Sequence, residues 1–366
     1  MATRQLTVLQ VLPALESGGV EKGTLEVAKA LVERGHKSLV ISAGGQLVNK
    51  LEQEGSEHFS WPIGKKSPLT FLWAFKLRRF LRENKINIVH VRSRMPAWVV
   101  HLALKLMPES QRPKLVSAVH GFYSVSGYSK IMTYGDKVIA VSKSVKNYIL
   151  ENYPETDKSK IEVINRGIDP ESYPFGYKPE EKWIKQWYED YPQLKNKFTI
   201  TLPGRITRIK GHHNFISIIH NLIKEGIEVK GVIAGGFDPR KKEYFDELKS
   251  RIDHEGLTDD ILFVGYRADM REVIVASNVV LSLTSNPESF GRTTLEALSM
   301  GIPVCGYDHG GVAEQLEQIL PEGSVEVGEV DAVCEVIKKW IKTMPSVNKK
   351  HEFLLTKMIN DTVRLY

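Results

Sequence analysis

"FTITLPGRITRIKGHH", residues 198–213, runs from a β-branched stretch through Pro203-Gly204 into a loop carrying Arg205, Arg208 and Lys210. Its position matters most, because it restarts a pattern that has already run once. Before it lie five strand candidates, "TVLQVL" (7–12), "SLVIS" (38–42), "INIVHV" (86–91), "KLVSAV" (114–119) and "KVIAV" (137–141), separated by amphipathic helical stretches. From 198 onward the alternation resumes with "FTITL" (198–202), "VKGVIA" (229–234), "ILFVG" (261–265), "VVLSL" (279–283) and "PVCGY" (303–307). Strands alternating with helices mean parallel sheets. Between the two series, residues 169–197 are rich in proline, tyrosine and charge and read as a connection with one short helix near 180–190. The fold class is therefore α/β, with two doubly wound domains.

Composition narrows the function classes. The 366 residues are 42% hydrophobic and 26% charged, the balance of a folded chain. A formal net charge of +6 favours anionic partners: phosphates, anionic lipid or nucleic acid. No nucleic-acid motif accompanies it. Cys305 and Cys334 are the only cysteines, too few for a disulfide framework or a thiolate metal site. Neither a signal-peptide core nor an uninterrupted membrane-spanning run is present. The expected location is the cytoplasm, or the cytoplasmic side of a membrane surface.

In parallel sheets, ligands collect beyond the carboxyl ends of the strands, so the loops there hold the candidates. In "ESGGVEKG" (16–23), Gly18 and Gly19 lead into a helix whose bare amides suit a phosphate. A plain glycine turn explains them equally well. The loop 203–213 crowds three cations, an arrangement disfavoured by repulsion unless an anion is present; a solvated turn is the alternative. In "NPESFGRTTLEALSMGIPV" (286–304), Glu288 stands just before a helix and Glu296 two turns inside it, about 80° round. One carboxylate suits a sugar and the other a ribose, with amides near Gly291–Thr294 for a phosphate between them. A helix cap at Glu288 and a solvated Glu296 would explain the same residues. His120, in "SAVHGFYS" (117–124), follows a strand of the first domain.

Taken together these stretches resemble a retaining nucleotide-sugar glycosyltransferase of glycosyltransferase family 4. "SGG" after the first strand, "VSKSV" (141–145), "VINRGID" (163–169), "PGRITRIKG", "ESFGRTTLEALSMGIPV" and "GGVAE" (310–314) carry the resemblance across nearly the whole chain. It implies the GT-B fold, two facing Rossmann-like domains with a cleft between them. The expected boundaries are an acceptor domain over 1–168, a connection over 169–197, a nucleotide-sugar domain over 198–345, and a C-terminal helix within 346–366 returning towards the first domain. Matched residue by residue, the resemblance implies that Arg205 and Lys210 bind the donor diphosphate beside Gly18 and Gly19. It gives Glu288 the transferred sugar and Glu296 the ribose. Ser289, Phe290, Gly291, Arg292 and Thr293 would complete the donor site, and His120 would approach the reacting carbon. Arg292 departs from the aliphatic residue many members carry there, which leaves the identity of the donor sugar open; a UDP- or GDP-sugar is the expected donor.

A sugar leaving a diphosphate becomes oxocarbenium-like, so cations on the phosphates and an anion near the ring lower the same barrier. The resemblance implies front-face transfer with retention, and no opposed pair of carboxylates suggests a hydrolase. Arg205 and Lys210 would supply the charge that a metal supplies elsewhere, so no metal or other cofactor is expected. An epimerase on the same fold, or a scaffold that only binds nucleotide or sugar, remains an alternative. The acceptor would be a glycan or lipid-linked glycan. "IVHVRSRMPAW" (88–98) is similar to stretches in bacterial lipopolysaccharide-core transferases, and Arg92 and Arg94 would meet acidic groups there; internal salt bridges are the alternative.

Finally, "KKSPLTFLWAFKLRRFLRENK" (65–85) holds seven basic residues against the single acid Glu83. Ser67-Pro68 starts a helix. At about 100° per residue Leu69, Trp73, Leu77 and Phe80 form a stripe for the core. The opposite side carries Phe71, Phe75, Arg78 and Arg82. Aromatics beside arginines suit an anionic membrane surface, on the inner face of the inner membrane for this class of enzyme. Packing of the two rings under a following loop is the competing explanation.

Overall fold

Runs such as "VLQV" and "LVIS" are buried from end to end, as strands covered on both faces must be. The computed structural model describes residues 5–16 and 18–366; Ser17, the first residue of the Ser-Gly-Gly motif, lies outside them. The first sheet contains β1 (Thr7–Val11), β2 (Lys37–Ser42), β3 (Glu57–Ser60), β4 (Ile88–Val91), β5 (Lys114–Val119), β6 (Lys137–Ala140) and β7 (Ile161–Val163). Their order is β3-β2-β1-β4-β5-β6-β7. The second contains β8 (Phe198–Pro203), β9 (Val229–Ala234), β10 (Ile261–Phe263), β11 (Val279–Ser282), β12 (Val304–Tyr307) and β13 (Ser324–Val325), in the order β10-β9-β8-β11-β12-β13. Every neighbouring pair is parallel. Both sheets are doubly wound, as expected. In each the strand order reverses once, between β1 and β4 and between β8 and β11, and that reversal opens a crevice at the strands' carboxyl ends.

The chain forms two compact units. The first comprises the residues up to Gly167 together with Leu355–Tyr366, and the second Ile168–Leu354. Helix Leu355–Arg364 buries Met358, Ile359 and Thr362, and the first two join a core cluster with Val8, Ile88 and Val116. Residues 169–197 pack into the second unit. Their helix, Glu181–Asp190, buries Trp187 in a cluster with Leu194, Val232 and Val273. Trp183 stacks on Trp187 at 5.2 Å, and its indole N–H donates to Asp269 at 2.7 Å.

The basic helix departs from its expected phase. Residues Pro68–Leu72 form a 3₁₀ turn, and the α-helix begins only at Trp73, running to Glu83. With three residues per turn at the start, the inward positions fall on Thr70, Ala74, Leu77 and Leu81. Leu69, expected in the core, is instead 71% exposed. Arg78, expected on the outer face, is half-buried. Phe71, Phe75 and Arg82 do face outward.

Candidate functional site

In the second unit, the loop after β8 is held against the end of β9 by two backbone bonds. Gly204 N–H donates to the Ala234 carbonyl and Ile206 N–H to that of Gly236, both at 2.9 Å. A side chain at Gly235 would meet the Gly204 carbonyl oxygen at 1.9 Å, so the approach requires glycine there. The next turn, Arg208–Lys210, ends at Gly211 with φ +75° and leans on the loop after β11. There Ser285 N–H donates to the Ile209 carbonyl at 2.9 Å. This contact carries Lys210 to Glu288, and the ammonium and carboxylate form an ion pair with roughly a quarter of each side chain exposed. Lys210, Glu288, Thr293 and Thr294 share the lining of a cavity of about 20 Å³ at the carboxyl ends of β8 and β11.

The three cations of this loop separate. Arg208 turns away to Glu247 at 2.6 Å and lies over the Tyr244 ring at 4.7 Å. Arg205 is exposed and makes no hydrogen bond or ion pair among the described residues. Of the three, only Lys210 lines the cavity with Glu288.

The helix after β11 runs Arg292–Ser299, and its N-cap is Gly291, with φ +85° and no side-chain cap. Glu288 is thus not the cap. The first-turn amides of an uncapped helix lack intrahelical acceptors and are aligned with its positive end. The preceding loop is fixed from below. Gly311 N–H donates to the Glu288 carbonyl at 2.7 Å, and side chains at Gly310 or Gly311 would strike the backbone of Glu288 or Phe290 at 2.4 Å. Buried Gln315 donates to the carbonyls of Phe290, at 2.5 Å, and Gly291, at 3.3 Å. Phe290 is itself buried, edge-on to Phe353. Ser289 and Thr293 are half-buried around this turn. Glu296 is half-buried too, 3.7 Å from the Arg292 guanidinium. It also accepts from the Tyr173 hydroxyl, whose pKa is pushed up to about 12 by burial first and by this carboxylate second. Gln315 and Tyr173 were not anticipated from the sequence.

In the first unit the loop after β1 is open, whereas the side chains at the ends of β4 and β5 are drawn inward. Helix Gly19–Glu33 starts after Gly18, which has no side chain to cap it; both glycines are exposed. His120 follows β5 and faces His90, Arg92 and Arg166 around a cavity of about 20 Å³. Arg166 lies against the first helix, where a side chain at Gly23 would meet its Nη1 at 2.0 Å. Its Nη2 is 3.2 Å from His120 Nδ1. A guanidinium can only donate, so Nδ1 accepts and the neutral ring carries its proton on Nε2. Burial and then the Arg166 and Arg92 charges hold the His120 pKa well below its ordinary value. His120 is built as a neutral hydrogen-bond donor.

Arg92 does not offer its fork to an acceptor. It is 2% exposed, and its Nε and Nη2 donate to Gln10 Oε1 at 2.9 and 2.6 Å. Arg94 is half-buried, donates to Ser129 Oγ at 3.1 Å, and lies over the rings of Tyr123 and Tyr128 at 4.7 and 5.3 Å. Cys305 and Cys334 are buried thiols whose pKa values burial raises, the latter to about 11, so neither is a ready nucleophile.

Residues 17–172 match the family model described as Glycosyltransferase Family 4, and residues 184–353 the one described as Glycosyl transferases group 1. A crystal structure of a glycosyltransferase from Rickettsia africae ESF-5 is 30% identical, with a TM-score of 0.88 over 100% of this chain and 98% of that one. N-acetyl-alpha-D-glucosaminyl L-malate synthase of Bacillus anthracis is 25% identical over 88% of this chain and 84% of its own length. The Anabaena protein HepE, crystallised with UDP and glucose, is 21% identical with a TM-score of 0.81 over 99% of both chains. The two doubly wound units are those of the GT-B fold.

Proposed function

The chain belongs to the glycosyltransferases of the family 4 type, and on that premise we propose that it moves a sugar from a nucleotide sugar to a glycan or glycolipid acceptor with retention of configuration. The observation that carries this reading is the Lys210–Glu288 pair at the carboxyl ends of β8 and β11. A partly solvated pair contributes only about 0–1 kcal/mol, so a diphosphate can take Lys210 from Glu288 at little cost. Lys210 and unpaired Arg205 then neutralise the departing diphosphate, with the uncapped amides after Gly291 beside them. Glu288, released, accepts from sugar hydroxyls and offsets charge growing on the ring. Glu296 accepts from the ribose, and the Nε2–H of His120 donates to a sugar oxygen. The leaving phosphate oxygen takes the acceptor proton as the new bond forms on the same face. The charge on the diphosphate is met by side chains in this scheme, without a metal.

The acceptor is a cell-envelope glycan such as lipopolysaccharide, handled on the cytoplasmic side, with Arg94 as its candidate contact. UDP-glucose is the first donor to test, since HepE holds UDP and glucose. The experiment is a screen of UDP-, GDP- and ADP-sugars for released nucleotide, followed by the anomeric configuration of the product and the effect of EDTA. One donor should give α-linked product from an α-linked donor, unchanged by EDTA. Inverted product would reject retention, epimerised donor without transfer would make the chain an epimerase, and binding without release would make it a sensor. Within the site, Glu296→Ala should weaken free nucleotide about tenfold, whereas Glu288→Ala should spare nucleotide and lower turnover.

A further inference from the structure

Four large apolar side chains stand exposed within seven residues of the first unit: Leu69 at 71%, Phe71 at 36%, Leu72 at 60% and Phe75 at 62%. They are not the frayed end of a helix. Thr70, buried beneath them, donates its hydroxyl to the Lys65 carbonyl at 2.8 Å, and Ser67 Oγ accepts from Leu69 N–H at 3.3 Å. The helix that follows is anchored by Ala74, Leu77, Phe80 and Leu81. Trp73 stacks on Trp61 at 5.4 Å, and the Lys76 ammonium sits over both rings at 4.7 and 4.8 Å. The turn is therefore a rigid platform that presents its apolar side chains outward.

Charge surrounds this platform with one sign. Lys65, Lys66, Lys76, Arg79 and Arg82 are exposed, and Glu83 is the only acid between residues 65 and 85, occupied by Arg79 at 2.6 Å. A protein partner for an apolar patch would need complementary acids around its rim. A second copy of this chain would bring the same cations against themselves. An anionic bilayer meets both features at once, because apolar side chains enter the acyl boundary while lysines and arginines lie among the headgroup phosphates.

We propose that residues 65–82 dock the first unit onto an anionic phospholipid surface, with Leu69, Leu72 and Phe75 inserting and Lys65, Lys66 and Lys76 held at headgroup level. Among the described residues no helix is long and apolar enough to cross a membrane, so this contact is peripheral. It goes beyond the proposed transfer reaction and does not depend on it.

The test is flotation of the full chain with vesicles of phosphatidylcholine alone and of phosphatidylcholine with phosphatidylglycerol, at low and high salt. Binding is expected only to the anionic vesicles, falling about tenfold or more as salt rises. L69S/L72S/F75S should lose binding about tenfold or more at low salt, and K65Q/K66Q/K76Q should lose the preference for phosphatidylglycerol. Both triple variants change exposed side chains; circular dichroism melts should match the wild type for the serine variant and fall only slightly for the glutamine variant, which loses the Lys76 contact with two indole rings. Donor turnover measured in solution should also be unchanged, which separates failure of docking from failure of the transferase reading. Wild type that stays unbound at low salt overturns the proposal. So does self-association that the serine variant abolishes, which would assign the patch to a second copy.

Discussion

The two units use the same topological position in opposite ways. Around the reversal between β8 and β11, charged side chains stand at a half-open surface, where Lys210 holds Glu288 and Arg205 has no polar partner among the described residues. Around β4 and β5 of the other unit, His90, Arg92 and Arg166 are buried with His120 half-buried beside them, and hydrogen bonds from Arg92 to Gln10 and from Arg166 to His120 fix the set. The open site can exchange partners when an anion arrives. The closed one cannot; there burial, and after it the charges of Arg166 and Arg92, keep one histidine neutral, and Arg166 sets its tautomer. The difference separates binding charge from positioned charge.

The comparison breaks most directly at the open site. Lys210→Ala or Arg205→Ala should lower turnover about 100-fold or more, the scale for losing one preorganised charge at a developing anion, with the melting temperature within a few degrees of wild type. Initial rates beside a thermal melt decide it, and full activity in both variants would remove these cations from the mechanism.

Acid should act on the closed site through its buried histidines. His90, His120 and His212 all have lowered pKa values, His212 to about 4 through burial. Below pH ~6.5 the unfolded chain takes up protons that the folded rings refuse, so stability is full above that pH and falls as the pH drops. From His212 alone the loss by pH 4 is on the order of 3 kcal/mol. Urea melts at pH 7.5, 6 and 5 would measure it, and a flatter profile in His212→Asn would tie the slope to that ring.

A smaller effect sharpens the contrast. Arg166→Met removes both the donor to Nδ1 and a nearby positive charge. Turnover should fall several-fold with little change in KM, and the His120 pKa should move up towards its ordinary value. Nitrogen shifts of the His120 ring would show the proton on Nε2 in the wild type and a tautomer mixture in the variant. An unchanged spectrum would mean that Arg166 does not position the ring.

Legibility in the sequence followed burial. Central strands such as β1, β8 and β11 are covered on both faces, so their apolar runs are continuous and were found. The strands missed, β3, β7 and β13, all lie at sheet edges, where "EHFS", "IEV" and "SV" have little to bury. At the candidate site, glycines and charges were visible because they form local motifs. The Arg166–His120 contact spans 46 residues and leaves no local trace. Gln315 did leave one: it stands between Val312, Leu316 and Ile319 on the buried stripe of its helix, where a polar residue needs a partner. The basic segment runs one residue out of α-helical phase at Leu69 because a 3₁₀ turn precedes the α-helix, and sequence periodicity does not distinguish the two.

Residues 355–366 belong to the first unit although the whole of the second precedes them in the chain. On the ribosome, the unit that begins first therefore finishes last. Ile168–Leu354 is continuous and can complete its core as soon as it emerges. The face of the first sheet built from Val8, Ile88 and Val116 must wait for Met358, Ile359 and Leu365 to cover it. During that interval the nascent chain carries an exposed apolar surface, the condition under which chaperones bind and aggregation begins.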